Sequence, residues 1–238
     1  LISGYFLSDG IIVLGQIFKD YLKTAGYKKE IYISRNPVDM DFIKSISIDD
    51  ISSRKKRTPN KILFLSRIEK NKGSMVAIKA FEKIIKELPE TQLFVAGTGS
   101  KLDEIKKYVL KKKINNIFFL GFVSGEDKIN LYKKSDLFLF PTSYKEGLPI
   151  NILEAMISGL PILTTPVGGV QDFFKNTKMG LVLDNIDSKQ FSESAKKLLL
   201  SKQYFDICQY NYSYALKNFT PEKIANNLFS IMKGIAKK

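Results

Sequence analysis

The sequence LFLFPTSYKEGLPINILEAMI occupies residues 137–157 and joins a strand pattern to a helix pattern. Its first four residues form a short apolar and aromatic run, which is typical of a buried strand. From residue 150 onward, apolar residues recur at the spacing of one helix face. Pro149 suits the first turn of that helix, because its missing N–H would have no partner there. The stretch therefore predicts a strand, a loop and a helix.

The same alternation of strand and helix patterns continues on both sides of this stretch. It is typical of a parallel sheet with helices on both faces, so we predict one doubly wound, Rossmann-like α/β domain over residues 61–238. Strands are predicted at 62–66, 92–96, 117–120, 137–140, 161–164 and 181–183. Helices are predicted near 74–88, 101–112, 125–134, 150–158 and 188–200, with two terminal helices that separate at Thr220-Pro221.

The N-terminal part of the chain has a smaller pattern. A strand at 11–14, a helix near 16–25 and a strand at 31–34 are too few elements to enclose a core. We therefore interpret residues 1–44 as the remnant of another α/β domain. Residues 45–60 are polar and basic without periodicity, and we interpret them as a hinge or linker in which residues 52–59 are exposed.

The composition limits the chemistry that this chain can perform. A single cysteine, Cys208, excludes an internal disulfide and fits a cytoplasmic location. The chain has no histidine, so it lacks the usual zinc ligands and the commonest general base, and any catalysis must use carboxylates, cations and backbone dipoles.

The net charge of +14 favours phosphorylated or other anionic partners. We attribute most of this charge to a solubilising surface, and the main alternative is a basic side that contacts the inner face of a membrane. Nucleic acid is not an expected partner, because aromatic residues are not interleaved with the basic ones on a recognisable motif.

The loops after the first two strands of the main domain carry candidate phosphate ligands. Ligands of open α/β sheets bind beyond the carboxyl ends of strands, where Arg67 and Lys72 could both reach one diphosphate. Taken alone, the two residues could equally be solvated surface cations. Gly97 and Gly99 allow a close approach of backbone or ligand, but a tight structural turn explains them as well.

Two glutamates flank the start of the helix predicted at 150–158. Glu146 precedes this helix and Glu154 lies within it. A helix amino terminus attracts phosphate, whereas carboxylates repel it, so the combination favours a ligand that also carries sugar hydroxyls. Glu154 could be an exposed helix residue, but the apolar residues around it favour a partly buried carboxylate that needs a partner.

Together these motifs resemble the carboxy-terminal domain of the group 1 glycosyltransferases, in the order and at the spacings of that family, over roughly residues 58–238. The motifs that carry the resemblance are Arg67 with Lys72-Gly73, Gly97-Thr98-Gly99, Phe119-Leu120-Gly121-Phe122-Val123, Glu146-Gly147 with Glu154-Ala155-Met156, Gly159-Leu160-Pro161 and Val167-Gly168-Gly169. The resemblance implies the GT-B architecture of two Rossmann-like domains, of which this chain would supply the nucleotide-sugar-binding one.

The resemblance also implies a reaction and a set of site residues. Family members transfer a sugar from a nucleotide diphosphate sugar to an acceptor such as a glycan or a lipid-linked glycan, with retention of configuration and usually without a metal or other cofactor. By analogy, Arg67 and Lys72 would neutralise the diphosphate, Glu146 would contact the donor sugar and Glu154 the ribose. The remaining implied donor-binding positions are Gly147, Leu148, Pro149 and Ile150 near the sugar and phosphate, Val123 near the base, and Gly97 and Gly99.

In the family, the front of the other domain holds the acceptor and the final helix crosses back onto that domain. We therefore expect this chain to be inactive by itself, with a nucleotide-sugar-binding module without catalysis as the alternative function. Cell-surface polysaccharide synthesis is the expected role. The final helix carries an apolar stripe that would be exposed without that domain. We expect self-association, fraying of the helix, or folding against residues 1–44 to reduce this exposure. The stripe comprises Ile224, Leu228, Ile231 and Ile235.

Two departures from the family pattern lie in the expected donor site. Ser66 stands where glycine is usual, and Pro149 replaces a common glycine and removes an N–H donor. Asp39-Met40-Asp41 has the form of a metal-binding DxD motif, but it falls in the predicted hinge. We therefore do not expect it to bind a metal.

Overall fold

A computed structural model of the chain describes residues 8–236 and contains two parallel sheets. The smaller sheet pairs β1 (Gly10–Val13) with β2 (Glu30–Ile33). The larger sheet has the strand order β5-β4-β3-β6-β7-β8. Its strands are β3 (Lys61–Leu65), β4 (Gln92–Ala96), β5 (Ile117–Gly121), β6 (Leu137–Phe140), β7 (Ile162–Thr164) and β8 (Gly180–Val182).

The order of the larger sheet determines where a ligand can bind. The chain runs from β3 outward to β5 and then returns to place β6 on the other side of β3. The loops that follow β3 and β6 therefore diverge at this topological switch point, the place where open α/β sheets bind ligands. The β3 loop carries Lys72 and the β6 loop carries Glu146.

The helices follow the predicted pattern closely, and each predicted strand is present within one residue of its expected bounds. The helices are α1 (Gln16–Thr24), α2 (Met40–Ser45), α3 (Ile48–Ser53), α4 (Ser74–Ile84), α5 (Leu102–Lys112), α6 (Gly125–Lys134), α7 (Ile150–Ile157), α8 (Ser188–Leu199), α9 (Tyr204–Asn218) and α10 (Pro221–Ala236). The expected break at Thr220-Pro221 is confirmed, while the predicted extension of the last helix over residues 237–238 lies outside the described residues.

The core lies on both faces of the larger sheet. The central strands β3 and β6 are continuous apolar runs, as expected where helices cover both sides of a parallel strand. Leu63 and Phe138 pair in register at the centre, and neither side chain is exposed. Burial of each such side chain stabilises the fold by about 1.5–3 kcal/mol. The packed strands therefore give the loops at their ends a stable base.

Residues 45–60, predicted as an aperiodic hinge or linker, contain short helical elements, and Arg54 is buried within the mostly exposed stretch 52–59. Ser47 and Asp50 form a reciprocal capping box at the start of α3, and Ile51 of that helix is buried. Arg54 is only 1% exposed, and its guanidinium donates hydrogen bonds to carbonyl oxygens at the end of α6, including that of Ser135 at 2.6 Å. A helix of six residues is too short to show a hydrophobic period, so the sequence pattern missed it.

The final helix α10 packs against the smaller sheet. The side-chain amide of Asn227 donates to the carbonyl oxygen of Ile33 at 3.2 Å, and Ile235 lies beside Gly10. Ile224 is buried, and the other three members of the predicted stripe are partly covered. Of the three expected outcomes, the structure shows the tail folded against the N-terminal segment, with Phe229 and Met232 exposed on the other side of α10.

Candidate functional site

The loops after β3 and β6 are joined at the switch point. The carbonyl oxygen of Asn71 accepts hydrogen bonds from the backbone N–H of Ser143 at 2.9 Å and from the hydroxyl of Thr142 at 3.1 Å. Gly73 has a left-handed φ of 82°, and a β-carbon there would lie 2.0 Å from the carbonyl oxygen of Pro141. Only glycine permits this contact, which places Lys72 beside the β6 loop.

Lys72 and Glu146 form a close ion pair. The Nζ atom of Lys72 lies 2.6 Å from Oε1 of Glu146, and both side chains are largely shielded from solvent. The same ammonium lies 3.9 Å from the ring centroid of Tyr144. The structure therefore brings together a cation and a carboxylate that are 74 positions apart in the sequence. Tyr144 was not among the predicted site residues.

Arg67 lies in the loop after β3, five positions before Lys72. Its side chain is exposed and lines a cavity of about 170 Å³ together with Gly97 and Val123. These three predicted site residues thus meet at the carboxyl ends of β3, β4 and β5. The other residues that line this cavity are Leu65, Ser66, Ala96, Thr98 and Phe122.

The turn after β4 packs directly on the turn after β3. Gly97 has a φ of 136°, and a β-carbon there would lie 1.9 Å from the carbonyl oxygen of Ser66. Gly99 lies in the same turn, against the carbonyl oxygen of Ile68. A side chain at either position would collide with these carbonyl oxygens, which explains both glycines. The same close packing forms one wall of the Arg67 cavity.

Glu69 fixes these two turns to each other and was missed by the sequence analysis. Its carboxylate accepts hydrogen bonds from the hydroxyl of Ser100 at 2.6 Å and from the backbone N–H of Ser100 at 3.0 Å. These two bonds, with a smaller contribution from the charge of Arg67, lower the pKa of Glu69 below its usual value. Glu69 thus remains a carboxylate that anchors the loop carrying Arg67.

Glu154 is buried inside α7, and its expected need for partners is confirmed. Lys128 of α6 places its Nζ 2.6 Å from Oε1, and the hydroxyl of Tyr132 donates to Oε2 at 3.1 Å. Burial, followed by the charge of Glu154, raises the pKa of Tyr132 well above its usual value. The Tyr132 hydroxyl therefore stays protonated and keeps donating. Lys128 and Tyr132 are four positions apart on one helix face, which is the sequence signal for this pair.

The amino terminus of α7 is held against the rest of the molecule by two asparagines. The amide of Asn36 donates to the carbonyl oxygen of Leu148 at 3.0 Å, and the amide of Asn151 donates to the carbonyl oxygen of Leu65 at 2.9 Å. Pro149 is the N-cap residue and supplies no side-chain acceptor, whereas Oδ1 of Asn151 accepts from the backbone N–H of Ile152 at 2.9 Å. Ile150, its first helical residue, is half exposed.

A larger cavity of about 650 Å³ lies on the other side of Glu146. Helix α1 and the loops after β6, β7 and β8 form its walls. Its lining is mainly apolar, and Glu146 and Lys145 are among its charged residues. Gly147 faces a neighbouring cavity under β1. The apolar and aromatic lining residues are Ile17, Phe18, Tyr21, Tyr144, Pro166, Val167 and Ile186.

The acidic residues show no arrangement typical of a metal site. Asp39 caps α2, because its carboxylate accepts from the backbone N–H groups of Asp41 and Phe42 at 2.9 and 3.0 Å. Within residues 8–236, no group of three Cys, Asp or Glu side chains is placed to hold a metal ion. Over the same part of the chain, no helix is both long enough and apolar enough to cross a membrane.

A comparison with known families identifies the chain. The family described as glycosyl transferases group 1 matches residues 46–233. The chain belongs to the group 1 glycosyltransferases. Residues 8–45, which contain β1, β2 and α1, precede the part that the family match covers.

Curated relatives of this group 1 glycosyltransferase are longer proteins. Spore coat protein SA of Bacillus subtilis is 29% identical over 179 residues, which are 71% of this chain and 48% of the relative. An uncharacterized glycosyltransferase of Methanocaldococcus jannaschii is 27% identical over 217 residues, or 90% of this chain and 54% of the relative. The chain thus spans about half the length of these relatives.

Solved structures confirm the fold class predicted for this glycosyltransferase chain. Sucrose-phosphate synthase from Thermosynechococcus elongatus superposes with a TM-score of 0.83 at 18% identity, covering 99% of this chain and 60% of that one. The pneumococcal O-GlcNAc transferase GtfA, in complex with UDP and GlcNAc, gives a TM-score of 0.78 at 18% identity, covering 97% of this chain and 46% of that one. The described residues therefore have the doubly wound fold of a GT-B half.

Proposed function

We propose that this chain binds a nucleotide diphosphate sugar at the carboxyl ends of β3 to β6. The observation that carries the proposal is the 2.6 Å contact between Lys72 and Glu146 at the switch point. A cation suited to phosphate and a carboxylate suited to sugar hydroxyls meet there, beside the amino terminus of α7, where Pro149 supplies no capping side chain. A ligand that carries both groups engages both residues at once.

The surrounding residues give the donor an orientation. The base would occupy the cavity lined by Gly97 and Val123, and the ribose hydroxyls would bind Glu154. Arg67 and Lys72 would then neutralise the diphosphate, and the sugar would lie between Glu146 and the backbone of residues 147–150. This order follows the roles that the resemblance implies for these residues.

We further propose that the intact enzyme is a retaining glycosyltransferase. A hydroxyl oxygen of a glycan or lipid-linked acceptor forms the new bond to the anomeric carbon while the bond to the diphosphate breaks on the same face. The acceptor proton leaves on the diphosphate. Arg67, Lys72 and the α7 amino terminus stabilise the departing charge, which is the largest expected contribution to rate. The cavity of about 650 Å³ beside Glu146 is the space on the acceptor side.

The names of similar proteins support a role in cell-surface glycan synthesis. The capsular polysaccharide biosynthesis glycosyltransferase CapM of Staphylococcus aureus is 27% identical over 179 residues, or 74% of this chain and 46% of that protein. Solved structures of GtfA and of Anabaena HepE contain UDP, so UDP is the first nucleotide to test.

The proposal is tested by calorimetric titration with UDP, GDP, ADP and their sugar conjugates. We expect weak but measurable binding of at least one nucleoside diphosphate, and weaker binding by the Arg67→Ala/Lys72→Ala double variant. The Lys106→Ala/Lys107→Ala variant removes two exposed lysines of α5 and serves as the charge-matched control. The proposal fails if no member of the panel produces heat or a chemical-shift change at millimolar concentration.

A transfer assay separates the proposed enzyme from a binding module without catalysis. A longer natural protein that contains this chain should transfer sugar to an acceptor, whereas the chain alone should bind donor without transfer. Binding without transfer by both proteins would favour the binding module.

A further inference from the structure

The ring of Tyr144 lies over the ammonium of Lys72. The distance from Nζ to the ring centroid is 3.9 Å, well within the range of an attractive contact between a cation and an aromatic face. Lys72 is only 6% exposed, so its ammonium is largely shielded from water. Such an attraction is stronger when the cation is desolvated.

The position of Tyr144 is determined by the same loop that holds Glu146. Its backbone N–H donates to the hydroxyl of Thr142 at 3.1 Å, and its carbonyl oxygen accepts from the N–H of Glu146 at 2.8 Å. Thr142 in turn donates to the carbonyl oxygen of Asn71, next to Lys72 in the chain. The backbone of Tyr144 is thus held near Lys72 by contacts that do not involve the ion pair.

We propose that Tyr144 is a positioning residue that orients the Lys72 ammonium toward the diphosphate when a bound nucleotide competes with Glu146 for it. The inference rests on the proposed function. Glu146 is the only carboxylate paired with Lys72 among the described residues, and phosphate oxygens that bind the ammonium weaken that ion pair. An aromatic face is a neutral partner, so it orients the ammonium without cancelling the charge that attracts phosphate.

The test compares UDP with UMP, because only UDP carries the second phosphate that Lys72 would contact. Calorimetric titrations would use wild type, Tyr144→Leu, the ring-preserving Tyr144→Phe, Lys72→Ala and Lys72→Ala/Tyr144→Leu. Tyr144 is 45% exposed, so removal of its ring leaves the core intact. We expect Tyr144→Leu to weaken UDP binding about fivefold to tenfold and to leave UMP binding unchanged. Tyr144→Phe should retain the preference for UDP, and Tyr144→Leu should have no further effect once Lys72 is alanine.

Three results would overturn the positioning role. Tyr144→Leu could retain the full preference for UDP, it could weaken UDP and UMP equally, or it could weaken UDP just as much in the Lys72→Ala background. A wild-type protein that binds neither nucleotide, nor any other member of the panel, would instead refute the proposed function itself. The two failures are therefore distinguishable.

Discussion

Lys128 on α6 and Glu154 on α7 are 26 positions apart in the sequence and form an ion pair between the two helices, with Nζ 2.6 Å from Oε1. The Glu154 side chain is 7% exposed and that of Lys128 is 28% exposed. The carboxylate of Glu154, which is proposed to bind the ribose, therefore already has a charged partner. Its position is set before any nucleotide arrives.

We expect Lys128→Met to destabilise the fold by about 1–3 kcal/mol, because it leaves a buried carboxylate with only the Tyr132 hydroxyl as a side-chain donor. The Lys128→Met/Glu154→Gln double variant should recover most of that loss. Urea unfolding of the two single variants and the double variant measures the coupling. Strictly additive effects would show that the pair contributes nothing to stability.

The two glutamates of the site should respond differently to substitution. Glu154→Ala should weaken UDP binding by roughly 1.5–3 kcal/mol, which is the usual contribution of hydrogen bonds to a charged group. Glu146→Ala should spare UDP binding but impair sugar transfer by the longer protein. Calorimetry and a transfer assay measure the two effects. If neither variant changes either quantity, the proposed roles of both residues are wrong.

The close contact at Gly73 makes a specific prediction about stability. Gly26→Ala adds only the strain of a left-handed residue, about 1–2 kcal/mol, because nothing lies within 4 Å of the added carbon. Gly73→Ala adds a collision with Pro141 and should destabilise the protein by about 3 kcal/mol or more. Equal unfolding free energies for the two variants would contradict the contact between the β3 and β6 loops.

Arg54 should be far more important for stability than its neighbours in the same basic run. Arg54→Met removes the donor to several carbonyl oxygens at the end of α6 and one of the two arginines paired with the buried Asp136, so it should destabilise the fold by about 3–5 kcal/mol. Lys56→Met, in the same turn but exposed, should change stability by less than about 0.5 kcal/mol. Chemical unfolding of both variants decides between a buried anchor and an ordinary surface cation.

Cys208 should be unreactive in the folded protein. Burial raises the pKa of its thiol from 9.0 to about 11. The folded pKa is the higher one, so the associated stability is complete below pH 9 and is lost as the pH rises through 11. We expect slow alkylation by iodoacetamide that becomes fast in urea, and a smaller loss of stability at alkaline pH in Cys208→Ala. Rapid alkylation without denaturant would show that the thiol is accessible.

The sequence was sufficient to predict the strands, the long helices and the positions of Glu146 and Glu154 relative to α7, because these features follow from local periodicity and turn chemistry. The pairings within the site were not predictable in this way. Lys72 meets Glu146, and Lys128 meets Glu154, only after the sheet has assembled. The cytoplasmic location and the peripheral membrane contact stay predictions.

Arg54 shows why burial within residues 45–60 is not predictable from the sequence. It is one of four consecutive basic residues, and nothing in that run distinguishes the one that is buried. Its burial depends on carbonyl oxygens at the end of α6, about 80 positions later in the chain. Such a long-range partner leaves no periodic signal near Arg54.

The ion pair between Lys72 and Glu146 also affects how the site discriminates among the anions of a cell. Because the two charges largely cancel, an inorganic phosphate or chloride ion that approached Lys72 would have to displace a carboxylate already at 2.6 Å and would offer Glu146 nothing in return. A donor that brings both phosphate and sugar hydroxyls compensates both residues. The pocket would therefore remain mostly unoccupied in a solution rich in simple salts, and its selectivity would come from a contact that exists before the donor binds.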